Sequence, residues 1–221
     1  MWRNLKKNSS RGMRKMIVEL LYEDRLKEYI ERWRERLEEE NIIHVTELIS
    51  CPLKIEYLMK YPEVGKGQLL NSTFLSGIIM HKGLVQFLRE HSKYTVLEEV
   101  EVQKSIGDWT IKGRVDCWLT SESDGEDLII EIKTSRRDIG LPHPHHIEQL
   151  KLYLWITGVK NGLLVYITPD RITEFEVEST LTDSEVQNYI DEFVKKVRVP
   201  RFDWECSYCL WNNICNRKIV R

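Results

Sequence analysis

The sequence lacks any long apolar run. None of its stretches approaches the roughly 20 consecutive apolar residues that a membrane-spanning helix needs. Its N-terminus also lacks the apolar segment of a secretory signal peptide. We therefore expect a cytoplasmic protein that has no membrane partner.

The sequence also has little net charge. Because the formal charge is only −2 over 221 residues, any contact with nucleic acid must come from local basic patches. Hydrophobic residues make up 42% and charged residues 31%, which is typical of globular proteins and excludes a disordered chain. A chain of this length can bury a sizeable core, and we expect one catalytic domain with appended pieces.

Cysteine is scarce and odd in number. Five cysteines without a secretory signal indicate reduced thiols or metal ligands more than a disulfide framework. Cys206, Cys209 and Cys215 have the dense spacing C-x2-C-x5-C, and Cys51 is the best candidate for a fourth ligand. Four cysteines could hold zinc or an iron–sulfur cluster. Neighbouring aromatic residues would make the pocket partly dry, which suits a cluster without excluding zinc: Trp204, Tyr208 and Trp211.

The stretch from Trp109 to Thr134 contains the strongest pattern of the chain. Two apolar runs flank a polar segment with the dipeptide Asp-Gly, which predicts a β-hairpin. A hairpin centred between Ser123 and Asp124 places Asp116 opposite Glu131. Their Cβ atoms would then lie about 5 Å apart.

Strand alternation decides which side chains share a face of this hairpin. Lys133 joins Glu131, while Ile130 and Ile132 turn to the other face. Cys117 alternates with Asp116, so we expect it to face away and to pack as a small hydrophobic residue.

Two carboxylates and a lysine on rigid strands suit metal-assisted hydrolysis of a phosphodiester. The acids can bind a divalent cation, and the ammonium can orient or deprotonate a water. Exposed acids on strands are common, so the pattern could also have no function. Catalysis is favoured because Glu131 and Lys133 interrupt an apolar strand, LIIEIK, in which charge is costly unless a metal or partner offsets it.

The N-terminal part is predicted to be mainly helical. Residues 1–15 contain six basic residues and no acid, so they could touch phosphate or form a frayed, solvated terminus. Residues 16–41 have the apolar spacing of an amphipathic helix with a solvated Glu/Arg face. A further helix, beginning at Thr46 or Ser50, is predicted to include Cys51.

The next helix is predicted over residues 72–90, followed by a strand over 95–104. Gly77 and His81 lie on one face of that helix, and the glycine would permit close approach by a neighbouring backbone. A lone helical histidine is usually structural or exposed, so His81 gains weight only from what lies beside it.

Several candidates follow the hairpin. Arg136 and Arg137 come directly after the acidic strand, where they could contact phosphate. A helix starting near His145 places Gln149 and Tyr153 on one face. A histidine triplet could chelate a metal or simply be presented to solvent by a loop: His143, His145 and His146.

The remaining elements are two strands and a helix. Residues 162–169 and 172–180 read as strands. Residues 182–198 read as a helix in which Thr182 and Glu185 form a capping box.

Together these residues resemble the RecB-like branch of the PD-(D/E)xK nucleases, and within it the CRISPR-associated Cas-four exonuclease family. The resemblance covers about Cys51 to Cys215 and depends on the order of motifs that are each weak alone. The motifs are Gly77-x3-His81, Gly113-Arg-Val-Asp116, Glu131-Ile-Lys133, Gln149-x3-Tyr153, and one early cysteine with a late C-x2-C-x5-C.

The resemblance implies an α/β core with a central mixed sheet flanked by helices, and a cysteine-ligated iron–sulfur module that joins the N- and C-terminal segments. It implies Mn²⁺ or Mg²⁺ held by His81, Asp116, Glu131 and the carbonyl of Ile132, with Lys133 as catalytic lysine. Gln149 and Tyr153 would position the site or the DNA strand. One [4Fe–4S] cluster would be bound by the residues Cys51, Cys206, Cys209 and Cys215.

We therefore expect a metal-dependent exonuclease that acts on single-stranded DNA ends and trims fragments for CRISPR spacer acquisition, in contact with the integrase complex. The expected division is an arm and helix at 1–40, a nuclease domain at 41–200 and a cluster segment at 201–221. Two alternatives remain open: a RecB-like repair nuclease outside CRISPR, and a non-catalytic cluster-bearing module that binds DNA.

Overall fold

The computed structural model describes residues 17–121 and 125–219. The basic arm expected at residues 1–15 and the centre of the hairpin turn lie outside these ranges. The described helices are α1 Ile17–Glu38, α2 Val45–Leu48, α3 Leu53–Lys60, α4 Pro62–Lys66, α5 Ser72–His91, α6 Pro144–Thr157, α7 Asp183–Val194 and α8 Glu205–Tyr208. The described strands are β1 Ile42–His44, β2 Thr95–Ile106, β3 Trp109–Thr120, β4 Leu128–Thr134, β5 Asn161–Ile167 and β6 Ile172–Glu178.

Within the described residues, six strands form one mixed sheet. β3 is antiparallel to β2 and β4, β4 is parallel to β5, β6 is antiparallel to β5, and β1 is parallel to β3. The β4–α6–β5 unit supplies the helical crossover that parallel strands require. The expected α/β core with a central mixed sheet is therefore confirmed.

One edge of β3 is shared by two strands. Because β2 covers the other edge along nearly its whole length, β1 pairs with Thr110–Lys112 and β4 pairs with Cys117–Leu119 on the same side. Residues 113–116 lie between these two partners. The sheet thus opens at the position where the GRVD motif ends.

Helices cover both faces of the sheet. On one face, α6 and α7 bury Leu150, Leu154 and Ile190 against the strands. On the other face, Val85 of α5 packs with Cys117 and other apolar strand residues. Cys117 is fully buried in that second layer, which confirms the prediction that it packs as a small hydrophobic residue.

Most element boundaries follow the sequence, with one exception. Thr182 and Glu185 form the expected capping box, with Thr182 N–H donating to Glu185 Oε2 at 2.8 Å. The prediction that a helix includes Cys51 is wrong, because Cys51 lies in the break between α2 and α3. Pro52 follows it, and the residue before a proline is disfavoured in the helical region.

The N-terminal helix α1 is only loosely amphipathic. Over Ile17–Glu38 it has no fully buried side chain, and Ile17, Leu20 and Leu37 remain exposed. It is held instead by polar contacts: Tyr29 OH donates to the carbonyl of Pro62 at 2.6 Å, and Arg36 Nε lies 3.2 Å from Glu47 Oε1.

None of the described helices is both long enough and apolar enough to cross a membrane.

Candidate active site

The hairpin register brings Asp116 and Glu131 together. Cys117 pairs with Ile130 and Trp118 with Ile129, so the next position outward is Asp116 beside Glu131, as predicted. Beyond this point β4 separates from β3. The backbone N–H of Ile132 therefore donates to Asp116 Oδ2, at 2.8 Å, and fixes that carboxylate at the fork of the sheet.

Glu131 is a buried carboxylate with one partner. Its side chain is 1% exposed, and its Oε1 accepts from Lys133 Nζ at 2.5 Å. Among the described residues its Oε2 is buried without a hydrogen-bond partner. Burial, together with the nearby Asp116 carboxylate, raises the pKa of Glu131 to about 8, while Lys133 opposes the rise. Such an oxygen is costly to leave unpaired, and a cation would satisfy it.

Lys133 is held as an ammonium. Burial lowers the pKa of Lys133, but the Glu131 and Asp116 carboxylates outweigh burial and keep it above its usual range. In this arrangement Lys133 can orient a water or stabilise negative charge.

His81 reaches the same place from α5. Its Nδ1 lies 3.7 Å from Asp116 Oδ2, and its side chain is 27% exposed. Asn71 caps the helix N-terminus by accepting from Thr73 N–H at 2.9 Å, which sets where α5 begins. No three His, Cys, Asp or Glu side chains in the described ranges converge closely enough to hold an ion as they stand. The expected ligands thus lie near one another, but their side chains are not arranged around a single metal position.

Gln149 and Tyr153 form the wall of the site on α6. Both are buried, and Gln149 Nε2 donates to Tyr153 OH at 3.3 Å. Burial, reinforced by the charge of Glu131, raises the pKa of Tyr153, so it stays a neutral phenol. The ring lies against Gly113 of β3, where an added Cβ would come within 2.5 Å of Tyr153 Cε1.

This contact predicts opposite results for two glycine substitutions. Gly113→Ala should lower the free energy of unfolding by about 1–3 kcal/mol and displace Tyr153, because the site has no space for a methyl group. Gly77→Ala is its matched control, since the nearest atom there is Thr134 Oγ1 at 3.4 Å. An alanine in the middle of α5 should be neutral or stabilise by up to about 1 kcal/mol.

Thermal melting with a cleavage assay checks both. A loss of stability in Gly77→Ala that matches Gly113→Ala would contradict the packing argument. The same distance corrects one expectation: among the described residues, Gly77 faces a threonine side chain at ordinary contact distance and no closely approaching backbone.

Asp116, Glu131 and Lys133 line a cavity of about 540 Å³ that is also lined by residues of α1. Sequence reasoning missed this role of α1, whose Glu/Arg pattern was interpreted as a solvated face. The cavity is lined by basic and aromatic residues that include Tyr29, Arg32, Trp33, Arg36, Lys112 and Arg114, and by the acids Glu35, Glu39, Glu47, Glu99 and Glu101. A signal was present in the recurrence of arginine and aromatic residues on α1, but nothing local shows what that helix faces.

The other predicted candidates lie outside the cavity lining. Arg136 and Arg137 are exposed, and Arg136 Nη2 donates to Thr73 Oγ1 at 2.6 Å. The histidine triplet is half-buried, which argues against the interpretation that a loop presents it to solvent. His146 Nδ1 lies 2.7 Å from Tyr166 OH, and burial lowers the pKa of His145 to about 4, so this imidazole is neutral.

Four cysteines meet at the other predicted site. Cys51, Cys206, Cys209 and Cys215 line one pocket, although about 155 positions separate the first two in sequence. Burial raises the pKa of Cys51 and of Cys209. The aromatic surroundings differ from the prediction: Trp204 and Tyr208 are 41% and 82% exposed. The buried Trp211 stacks instead on Tyr57, at 6.4 Å between ring centroids, and Tyr57 lines the pocket.

Comparison with known proteins identifies the family and the fold. The family model of the PD-(D/E)XK nuclease superfamily matches residues 1–216. The CRISPR-associated exonuclease Cas4 of Saccharolobus solfataricus is 36% identical over 209 residues, which are 93% of this chain and 100% of that protein. The crystal structure of SSO0001 superimposes with a TM-score of 0.84 at 37% identity, over 93% of this chain and 98% of the other.

Proposed function

Because this chain belongs to the PD-(D/E)XK nuclease superfamily, in the family of the CRISPR-associated Cas4 exonucleases, we propose that it degrades single-stranded DNA from an end and that Asp116, Glu131 and Lys133 are the centre of its active site. The observation that supports this site best is the buried Glu131 Oε2 without a partner, next to Asp116 at the fork of the sheet. An oxygen of this kind fits a divalent cation.

The donor set fits Mn²⁺ or Mg²⁺. It consists of the His81 imidazole, the Asp116 and Glu131 carboxylates and the Ile132 carbonyl, and its mixture of nitrogen and oxygen suits a transition ion at least as well as Mg²⁺. When bound, such an ion polarises the phosphodiester and lowers the pKa of a water.

The chain's own groups would act around the scissile phosphate. The Lys133 ammonium, already fixed by Glu131, stabilises the negative charge that develops there. Tyr153 remains protonated and can donate, and Gln149 holds its hydroxyl in place. These buried groups need no reorganisation during the reaction, which is the condition for effective electrostatic stabilisation.

Single-strand preference is supported by the cavity. Residues of α1 line the same cavity as Asp116, Glu131 and Lys133, so a strand that reaches these side chains would also contact α1. Arg32 and Arg114 can follow the backbone phosphates, while Tyr29 and Trp33 offer rings for bases to stack on. Arg136 and Arg137 would contact phosphates outside the cavity.

We also propose that Cys51, Cys206, Cys209 and Cys215 bind one [4Fe–4S] cluster. The four thiols share one pocket, although Cys51 lies far from the other three in sequence. Four thiolates are the ligand set of a [4Fe–4S] cluster, in which each binds a different iron. Lys54, Arg217 and Lys218 line it too and would balance the thiolate charge.

The nuclease would trim DNA fragments before they are integrated into a CRISPR array, in contact with the integrase complex. In this proposal residues 41–200 are the nuclease domain and residues 201–221 the cluster segment. Residues 1–40 include the helix that faces the cavity, so they would belong to the substrate path. The order of neighbouring genes would separate this role from DNA repair.

The function is tested by cleavage of end-labelled linear DNA. We expect degradation of the single strand with Mn²⁺ at least as fast as with Mg²⁺, much slower attack on the same sequence as a duplex, and no attack on a circular single strand. Chelator should stop cleavage, and excess Mn²⁺ should restore it, which shows that the reaction metal was removed and the cluster kept. Full cleavage in excess chelator, or equal cleavage of the circle, would refute the proposal.

A further inference from the structure

The cysteine pocket contains a buried carboxylate that the sequence patterns did not predict. Glu205, which directly precedes Cys206, is 2% exposed. Its Oε1 accepts from the backbone N–H of Cys51 at 2.9 Å and from Lys54 Nζ at 2.6 Å. Its Oε2 accepts from the backbone N–H of Phe202 at 2.9 Å. Both oxygens are therefore satisfied by donors that come from two distant parts of the chain.

Burial of a carboxylate is costly, so its partners indicate what it is for. Glu205 does not line the nuclease cavity, and it lines the cysteine pocket. Its Oε1 binds the backbone of Cys51 itself, and its Oε2 binds the turn that leads into Cys206 and Cys209. Charge-assisted hydrogen bonds of this type are short, directional and roughly twice as strong as neutral ones.

We propose that Glu205 is a positioning residue that holds Cys51 beside the three C-terminal cysteines independently of any bound cofactor. The inference deepens the proposed iron–sulfur site and rests on it for its biological meaning. The tie joins positions about 155 residues apart in sequence and places Cys51 beside the C-terminal cysteines before a cofactor binds. The site is thus preorganised.

Lys54 completes the arrangement. It is three residues after Cys51, its ammonium neutralises Glu205, and it lines the same pocket. The pair thus aligns the backbone of Cys51 with the turn that leads into Cys206.

Glu205 could also act only by docking the C-terminal segment on the rest of the domain. A second carboxylate that docks this segment without contacting Cys51 is therefore the matched control. Arg201 belongs to the same segment, has a side chain that is 5% exposed, and pairs with Glu148 of α6 at 3.0 Å. Glu148→Gln weakens the docking of that segment without touching Cys51. Glu205→Ala removes the tie, and Glu205→Gln keeps its size and one acceptor while placing an NH₂ where Phe202 N–H donates.

The experiment uses the full chain purified anaerobically. One measurement is the rate at which chelator bleaches the visible absorption and removes iron. The other, on chelated protein, is the yield of disulfides that include Cys51 after mild oxidation, mapped by peptide mass spectrometry. We expect Glu205→Ala to lose iron about tenfold faster or more, the size typical of outer-shell ligand-orienting groups, and to form far fewer Cys51 disulfides. Glu205→Gln should give intermediate values in both measurements. Glu148→Gln should lower the melting temperature without changing the bleaching rate or the disulfide yield.

Equal disulfide yields in wild type and Glu205→Ala, or the same bleaching rates in the Glu205 and Glu148 variants, would overturn the proposal. If Glu205→Ala fails to fold, the comparison of Glu205→Gln with Glu148→Gln decides it. If the purified wild type contains no iron, the cluster is wrong, but the disulfide yields still show whether Glu205 positions Cys51.

Discussion

Replacing Glu131 or Lys133 with alanine is expected to abolish DNA cleavage, but only the Glu131 substitution should weaken Mn²⁺ binding. Glu131 Oε2 is buried without a hydrogen-bond partner among the described residues, so a cation would fit there, whereas Lys133 contributes a positive charge. Loss of a fixed group that stabilises developing charge typically slows the chemical step by about 100- to 1,000-fold. Because Lys133 repels a neighbouring cation, its removal should leave Mn²⁺ affinity unchanged or raise it.

Calorimetric titration with Mn²⁺, alongside the cleavage assay, separates the two roles. Glu131→Gln should behave as Glu131→Ala does in cleavage while disturbing the packing less. Lys82→Ala on α5, at an exposed position next to His81, is the control for loss of a lysine near the site and should cleave normally. Equal loss of Mn²⁺ binding in the Glu131 and Lys133 variants would contradict these roles.

The second large effect concerns the cysteines. Alanine at Cys51, Cys206, Cys209 or Cys215 should lower iron content and melting temperature together, because loss of one ligand weakens the cluster and with it the covalent link that constrains the unfolded chain. In the loop-entropy model, which is disputed, such a link contributes several kcal/mol, so we expect a shift on the order of 10 °C for a chain of this size. Cleavage should fail because the C-terminal segment no longer folds against the rest of the domain.

Cys117→Ala is the built-in control. Cys117 is fully buried in the layer under α5, away from the cysteine pocket. Its substitution should cost about 1 kcal/mol and leave the cluster in place. Iron and acid-labile sulfide per chain, with the visible spectrum, decide the matter. Zinc without iron would overturn the cluster but keep the four ligands, while iron loss in Cys117→Ala with retention in Cys51→Ala would show a wrong fourth ligand.

Local patterns predicted a large part of the catalytic strands. The alternation in LIIEIK and the Asp-Gly turn were enough to place Asp116 beside Glu131, with Lys133 on the same face. The capping box at Thr182 and the burial of Cys117 followed from equally local rules. In each case the deciding interaction lies within one element or between neighbours joined by a short connection, so the sequence spacing contains the geometry.

The failed expectations involve contacts between distant parts of the chain. Cys51 lies in a break between two helices, and Trp204 and Tyr208 are exposed to solvent. The histidine triplet is half-buried, with His146 in contact with Tyr166. No periodicity encodes these results, because they depend on which surface another element presents.

By itself, then, the sequence determined the acid pair with its lysine, the faces of the strands and the identity of the cysteines that could share a site. Only the tertiary structure decided that α1 lines the same cavity as the acids, that β1 and β4 divide one edge of β3 to open the sheet at Asp116, and that Glu205 holds Cys51. The physical reason is the range of the interactions. Alternation and capping act over a few residues, whereas a cavity, a fork in a sheet or a buried carboxylate exists only after segments that are far apart in the sequence have packed together.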